Sequence, residues 1–274
     1  MRHPPTVLSI AMTLTFPFLF SACAAKPENP SFPLNFSQAT QALADMRADP
    51  KPLQRPLVVI GGFLDPNVSP PLFKSFFQTL TRDSQIITVS VGLCGSFEEC
   101  RRKVIKAVDE ACPTNDPQFT SEVDVVGACL GGLVARHAAT PSEDAAHPRR
   151  LKIARLFTIS TPHSGATLAQ LIGFTDYHKD LRPNSTFLNQ LAQFDADATY
   201  ELYPYVRLHD EIVGAKYAAP PGQNPFWLPN PPLTMAHLGA MMDTRILVDI
   251  SRRLRDEEPF TQFPATPLPQ FALR

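Results

Sequence analysis

At 274 residues, 44% of them hydrophobic, the chain is long enough to bury a full core, and 25 Lys+Arg against 26 Asp+Glu leave a formal net charge of -1. Binding to a phosphate backbone needs a concentrated basic surface, so this balance excludes nucleic acid as a partner. The most basic run, Arg149-Arg150-Leu151-Lys152 with Arg155 after it, precedes an apolar stretch and reads as a solvated loop.

Residues 1–22 differ in kind from the rest. Arg2 and His3 lead into an apolar stretch from Val7 to Phe20, and small residues Ser21 and Ala22 precede Cys23. That is the layout of a secretory signal, too short for an ordinary membrane span. The run Leu19-Phe20-Ser21-Ala22-Cys23 also resembles a bacterial lipobox, with Phe20 where Leu is usual. The resemblance implies lipidation of Cys23, export to the bacterial cell envelope or secretion, and membrane attachment through a lipid rather than a span.

Residues 23–56 hold six prolines around a predicted short helix, Ser37 to Met46, and read as a linker that docks onto the domain. Leu57-Val58-Val59-Ile60, stopped by Gly61-Gly62, is the continuous β-branched run of a strand buried on both faces. A helix is predicted over 71–82, a strand from Ile86 to Val91, and a helix from Phe97 to Cys112 that Pro113 ends. Strands follow at Val123–Val126, Ile153–Ser160 and 203–208, and a last helix spans Met241 to Arg255. Residues 256–274 form a Pro-rich tail. Alternation of this kind implies an α/β domain over 57–255: a mostly parallel, doubly wound sheet with helices on both faces. Ligands in such sheets sit at the carboxyl ends of the strands.

Directly after the strand at 123–126 comes Gly127-Ala128-Cys129-Leu130-Gly131-Gly132, then the helix former Leu133-Val134-Ala135-Arg136. The glycines flank position 129 because a sharp strand-to-helix turn brings backbone segments too close for a Cβ, and its apex is strained. The apex thiol lies at the N-terminus of the following helix, whose dipole favours a thiolate.

This stretch resembles the nucleophile elbow of α/β-hydrolase lipases and esterases, with Cys in the Ser position. Thr161-Pro162-His163-Ser164-Gly165 is similar to the Thr-Pro-His-x-Gly segment of the same lipases, in family order and at a family-like separation. Cysteine at the apex is shared with dienelactone-hydrolase-like enzymes and with polyhydroxyalkanoate synthases, although away from 127–132 little resembles a synthase. The resemblance implies the α/β-hydrolase fold, with Cys129 as nucleophile. Its partners should follow as acid, then histidine. Asp210, after the late strand, is the candidate acid, with Glu211 as the alternative, and His237 is the candidate base. The oxyanion donors implied are the backbone amides of Leu130 and of Phe63 or Gly62, in a loop where Gly61 replaces the usual His. His163 reads as shaping the pocket, His137 as packing or surface, and His147, His178 and His209 as exposed.

With Cys23 lipidated and Cys129 reactive, Cys94, Cys100 and Cys112 remain, and only two of them can pair with each other; Cys94 with Cys100 and Cys94 with Cys112 are both open. The Pro-rich stretch around Phe226 and Trp227 reads equally as a lid over an acyl pocket or as a cover of the sheet edge. Residues 172–200, with Phe174, Tyr177 and Phe187, fall where relatives insert cap helices. No metal or cofactor signature appears. The implied activity is hydrolysis of a small-molecule or lipid-like carboxylic ester, or a thioester, through an acyl-cysteine. Acyl transfer from the same thioester is the alternative, as is an inactive surface lipoprotein on a hydrolase fold.

Overall fold

The computed structural model describes residues 27–63, 65–142, 144–170, 179–195 and 198–273. The signal-like segment and Cys23 lie outside the described residues, as do Phe174, Tyr177 and His178.

Six strands form one parallel sheet: β1 (Leu57–Ile60), β2 (Ile86–Val89), β3 (Val123–Ala128), β4 (Ile153–Ile159), β5 (Glu201–Arg207) and β6 (Phe226–Leu228). Their spatial order is β2-β1-β3-β4-β5-β6, so the winding reverses between β1 and β3. The period-two pattern of the strands sorts the core. Leu57 and Val59 join one apolar cluster, and Val58 and Ile60 join the other. Helices α1 (Phe36–Ala48), α2 (Ser69–Gln78) and α7 (Thr244–Leu254) pack on the first face; α3 (Phe97–Ala111), α4 (Leu130–Ala139) and α5 (Thr186–Asp195) pack on the second. A short helix, α6 (Ala236–Met241), precedes α7 at the carboxyl edge of β5.

Boundaries shift where side chains cap. α2 starts earlier than the apolar spacing predicts, because Asp65 accepts hydrogen bonds from the amides of Val68 (2.6 Å) and Ser69 (3.1 Å), and Pro70-Pro71 suit a first turn. The last helix is two helices: the Asp243 carboxylate accepts from the Arg245 amide at 3.0 Å and restarts the helix after Met241. α1 is framed by a capping box in which Asn35 and Gln38 each accept from the other's amide.

The flanking segments dock firmly. Phe32, Leu34 and Met46 are buried in the first-face core. Asn29 Nδ2 donates to the Trp227 carbonyl at 2.7 Å, and Trp227 Nε1 donates to the Thr266 carbonyl at 2.9 Å. Asp249 accepts from the Tyr205 hydroxyl and from the Thr261 and Phe260 amides, fixing the tail across the sheet edge. Phe226 and Trp227 are therefore a buried edge strand, which corrects the lid reading in favour of a sheet-edge cover. Cys94, Cys100 and Cys112 form no disulfide with one another, so neither pairing considered from the sequence is formed.

Candidate active site

β3 runs straight into α4 through Cys129, whose φ of 50° and ψ of -120° lie in a region that L residues rarely occupy. Holding a non-glycine residue there costs about 1–3 kcal/mol, so its surroundings must over-determine it. They do: the Cys129 amide donates to the Ile159 carbonyl at 2.9 Å, and the Thr161 hydroxyl donates to the Cys129 carbonyl at 2.8 Å. The glycines permit the close crossing. A Cβ on Gly127 would stand 2.5 Å from the Gly132 amide nitrogen, and one on Gly131 would run into the Ile60 carbonyl.

The loop after β1 lies beside this turn, across the point where the winding reverses. A Cβ on Gly62 would sit 3.0 Å from the Cys129 Cβ and 3.7 Å from its sulfur, so the loop backbone closely approaches the thiol. Leu130 opens α4 immediately after Cys129, and Phe63 follows Gly62 in the loop. Asp65 shapes this loop. Besides capping α2, its carbonyl accepts from the Ser90 hydroxyl at 3.2 Å. The spacing Asp65 to Ser69 before two prolines is a helix-start signal that the sequence does display.

Asp210 and His237 meet from opposite ends of a long loop. The His237 Nδ1 proton is shared between both Asp210 carboxylate oxygens at 3.0 Å each, which leaves Nε2 for the Cys129 sulfur, its second side-chain hydrogen-bond partner. Both are buried, and the Asp210 carboxylate also accepts from the Val213 amide at 2.8 Å. Burial works against the charged imidazole, but the Cys129 thiolate charge, the bonds to Asp210 and Cys129 and the Asp210 charge outweigh it, and the His237 pKa is pushed up to about 10. Asp210 is also desolvated, yet its bond to His237, the imidazolium charge and the Val213 amide hold it below the usual carboxylate range.

His237 sits in the first turn of α6 rather than in a loop, and Glu211 does not touch its ring. Glu211 instead accepts from the backbone amides of Ala236 (2.9 Å) and His237 (3.3 Å). His163 is fully buried: Arg136 Nη1 lies 3.0 Å from its Nδ1, and its Nε2 meets the Thr158 hydroxyl at 2.8 Å. His137 packs against Phe97 and Phe187 and faces Glu98, and His147 and His209 are exposed. Around α6, Leu233 is fully exposed and Met235, Leu238 and Met242 are more than half exposed, an apolar rim beside His237. Thr161, Arg136 and Asp65 do not emerge from sequence reasoning as site residues; for the first, its place in the Thr-Pro-His segment was the available signal.

A parallel sheet in this strand order, wound on both sides and carrying a strained strand-to-helix turn at the reversal of winding, is the α/β-hydrolase fold. Among solved structures, the chain is similar to the Bacillus licheniformis lipase BlEst2 in its propeptide form, at 12% identity and a TM-score of 0.52 over 80% of this chain. It spans about half (54%) of that protein's length, and the likeness is one of fold. The mature form of the same lipase (13% identity, TM-score 0.48, 70% of this chain and 88% of that one) and the esterase domain of a Rhodothermus marinus protein (16%, 0.44, 75% and 88%) also match. No protein-family model and no curated protein matches the chain.

Proposed function

We propose that the chain hydrolyses carboxylic esters or thioesters through a Cys129-His237-Asp210 triad and a covalent acyl-cysteine. The observation that supports this most directly is the hydrogen-bonded series from Asp210 through His237 to a cysteine at a strained strand-to-helix apex. In the first half-reaction His237 holds the proton drawn from the Cys129 thiol, and the Cys129 sulfur bonds to the acyl carbon. Amides of Leu130 and of Phe63 or Gly62 hold the oxyanion, and the C–O bond to the leaving alcohol breaks as His237 returns its proton to that oxygen. In the second, His237 takes a proton from water, the hydroxide adds to the thioester, and the acid leaves as the proton returns to sulfur. Asp210 holds the imidazole ring in register and stabilises its charged form.

The apolar rim around Leu233 and Met235 supports apolar or lipid-like acyl esters as substrates. The lipobox-like run supports attachment of an exported enzyme to a membrane through Cys23. Because a thioester is open to alcohols, amines and thiols as well as water, acyl transfer remains the second reading of the same site.

Release of p-nitrophenol from short- and medium-chain acyl esters, by the parent and by Cys129→Ala, Cys129→Ser and His237→Ala, tests the proposal. Turnover in the parent that disappears in both Ala variants supports it. A parent that neither turns over nor reacts with an electrophilic acyl probe at Cys129 refutes it. Product analysis in the presence of glycerol separates hydrolysis from transfer.

A further inference from the structure

The two acids that follow β5 stand side by side in sequence, and the structure gives them different partners in one residue. Asp210 is buried and its oxygens are occupied by the His237 ring and by the amides of Ile212 and Val213. Glu211 is exposed, and its Oε2 accepts from the backbone amides of Ala236 and of His237 itself. We infer that Glu211 is a positioning residue: it fixes the backbone of His237, while Asp210 fixes the ring, so that one dipeptide sets both the place and the rotation of the imidazole.

The helix that bears His237 needs such help. α6 has six residues, too few to hold itself in water, and the amides of a first turn have no partners within the helix. Its N-cap, Met235, offers no side-chain acceptor. The Glu211 carboxylate takes that place from a different segment, 25 residues away, and lays a negative charge where the helix dipole is positive. From the other side, Arg207 presses on Gly239 so closely that no Cβ fits there, while its guanidinium is pinned to Asp243 at 2.8 Å. α6 is thus pushed by Arg207 and anchored by Glu211, two groups on the two sides of Asp210 in sequence. Without the anchor, the first turn that carries His237 is the part free to unwind, and the imidazole leaves the thiol while the core beneath stays packed.

The inference rests on the Cys-His reading of the site, and the experiment separates the two. Glu211→Ala and Glu211→Gln are compared with the parent in three measurements: ester turnover, the pH profile of Cys129 alkylation by iodoacetamide, and hydrogen exchange of the Ala236 and His237 amides by NMR. Glu211→Ala is expected to lower kcat about tenfold or more with KM within about twofold, to slow Cys129 alkylation at pH 7 severalfold, and to speed exchange at both amides. Glu211→Gln keeps an acceptor oxygen and is expected to stay within about threefold of the parent in all three. Parent-like exchange and alkylation in Glu211→Ala overturn the inference, as does a Gln variant that behaves like Ala, which would assign the effect to charge. A parent without turnover and with an ordinary thiol profile sinks the Cys-His reading instead, and the exchange measurement still decides whether Glu211 holds the backbone.

Discussion

The guanidinium of Arg136 and the imidazole of His163 face each other at 3.0 Å inside the protein, a cation donating to a neutral ring. Guanidinium has no acceptor, so His163 Nδ1 must accept and its Nε2 proton goes to the Thr158 hydroxyl at 2.8 Å. The pair ties α4 to the loop after β4, two residues from the Thr161 hydroxyl that holds the Cys129 carbonyl. Burial first, and then the Arg136 charge, drive the His163 pKa well below that of a free histidine.

That arrangement predicts an acid-sensitive fold. As pH falls below about 6.5, the unfolded chain binds a proton at position 163 and the folded chain does not, so stability is full above that pH and is lost below it. The slope from one such group is about 1.4 kcal/mol per pH unit. Urea unfolding between pH 7.5 and 4.5 should therefore show a shallower acid decline for His163→Gln than for the parent, even though the variant is less stable at pH 7.5. Equal slopes in the two proteins would show that His163 takes up its proton as readily in the fold as in the unfolded chain.

On the proposed mechanism, the raised His237 pKa sets where ester cleavage fails in base. An alkoxide leaving group needs the imidazolium proton, so the acylation rate with a methyl ester should fall as pH rises through about 10. A p-nitrophenolate leaving group needs no such proton and should show little of this limb. Asp210→Asn removes a charge that raises the His237 pKa and weakens the bond to its ring, which moves the limb to lower pH, with kcat reduced on the order of 10³-fold. Rapid-mixing measurement of the acylation phase against pH checks both; an unmoved limb in the Asn variant would assign it to a different group.

Gly62→Ala tests the close approach of the loop to the thiol. The added methyl meets the Cys129 Cβ at 3.0 Å, so loop or turn must shift by a few tenths of an ångström. The loop's amides move with it, and on the proposed mechanism the loss of an aligned oxyanion donor is expected to lower kcat about 10²-fold. KM and melting temperature should change little, since the core beneath is untouched. A Gly62→Ala enzyme with parental kcat would place the oxyanion donors elsewhere.

Much of the scaffold was legible because local chemistry and global fold agree. Leu57-Val58-Val59-Ile60 reads as a doubly buried strand and is one, and the glycines around Cys129 announce the turn that a Cβ would block. What escaped was long-range. Phe226 and Trp227 lie among prolines and look like a loop; they become an edge strand by pairing with Tyr205 and Val206, and Asn29 and the tail at Thr266 bond to Trp227 from distant parts of the chain. Glu211 shows no periodic relation to Ala236, and Arg136 sits on a helix whose sequence gives no hint of a buried histidine partner 27 residues on. Polar contacts of this kind are set by tertiary geometry, which neither spacing nor propensity encodes.

Asp65 is the residue expected to anchor the loop that carries Gly62 and Phe63. Its carboxylate accepts from the Val68 and Ser69 amides and the Ser69 hydroxyl, and its carbonyl accepts from Ser90. A Cβ on Gly92 would collide with the Asp65 backbone, so the loop after β2 grips it from the far side. Asp65→Ala removes the helix cap at a cost of about 1 kcal/mol. In a chain of this size that is a fall of about 2–4 °C in melting temperature. The larger effect should be on kcat, about tenfold lower with KM little changed, because the amides of Gly62 and Phe63 lose the anchor two to three residues away. Asp65→Asn keeps a capping oxygen and should recover most of both losses. A variant pair in which melting temperature falls and kcat does not would confine Asp65 to stabilising α2.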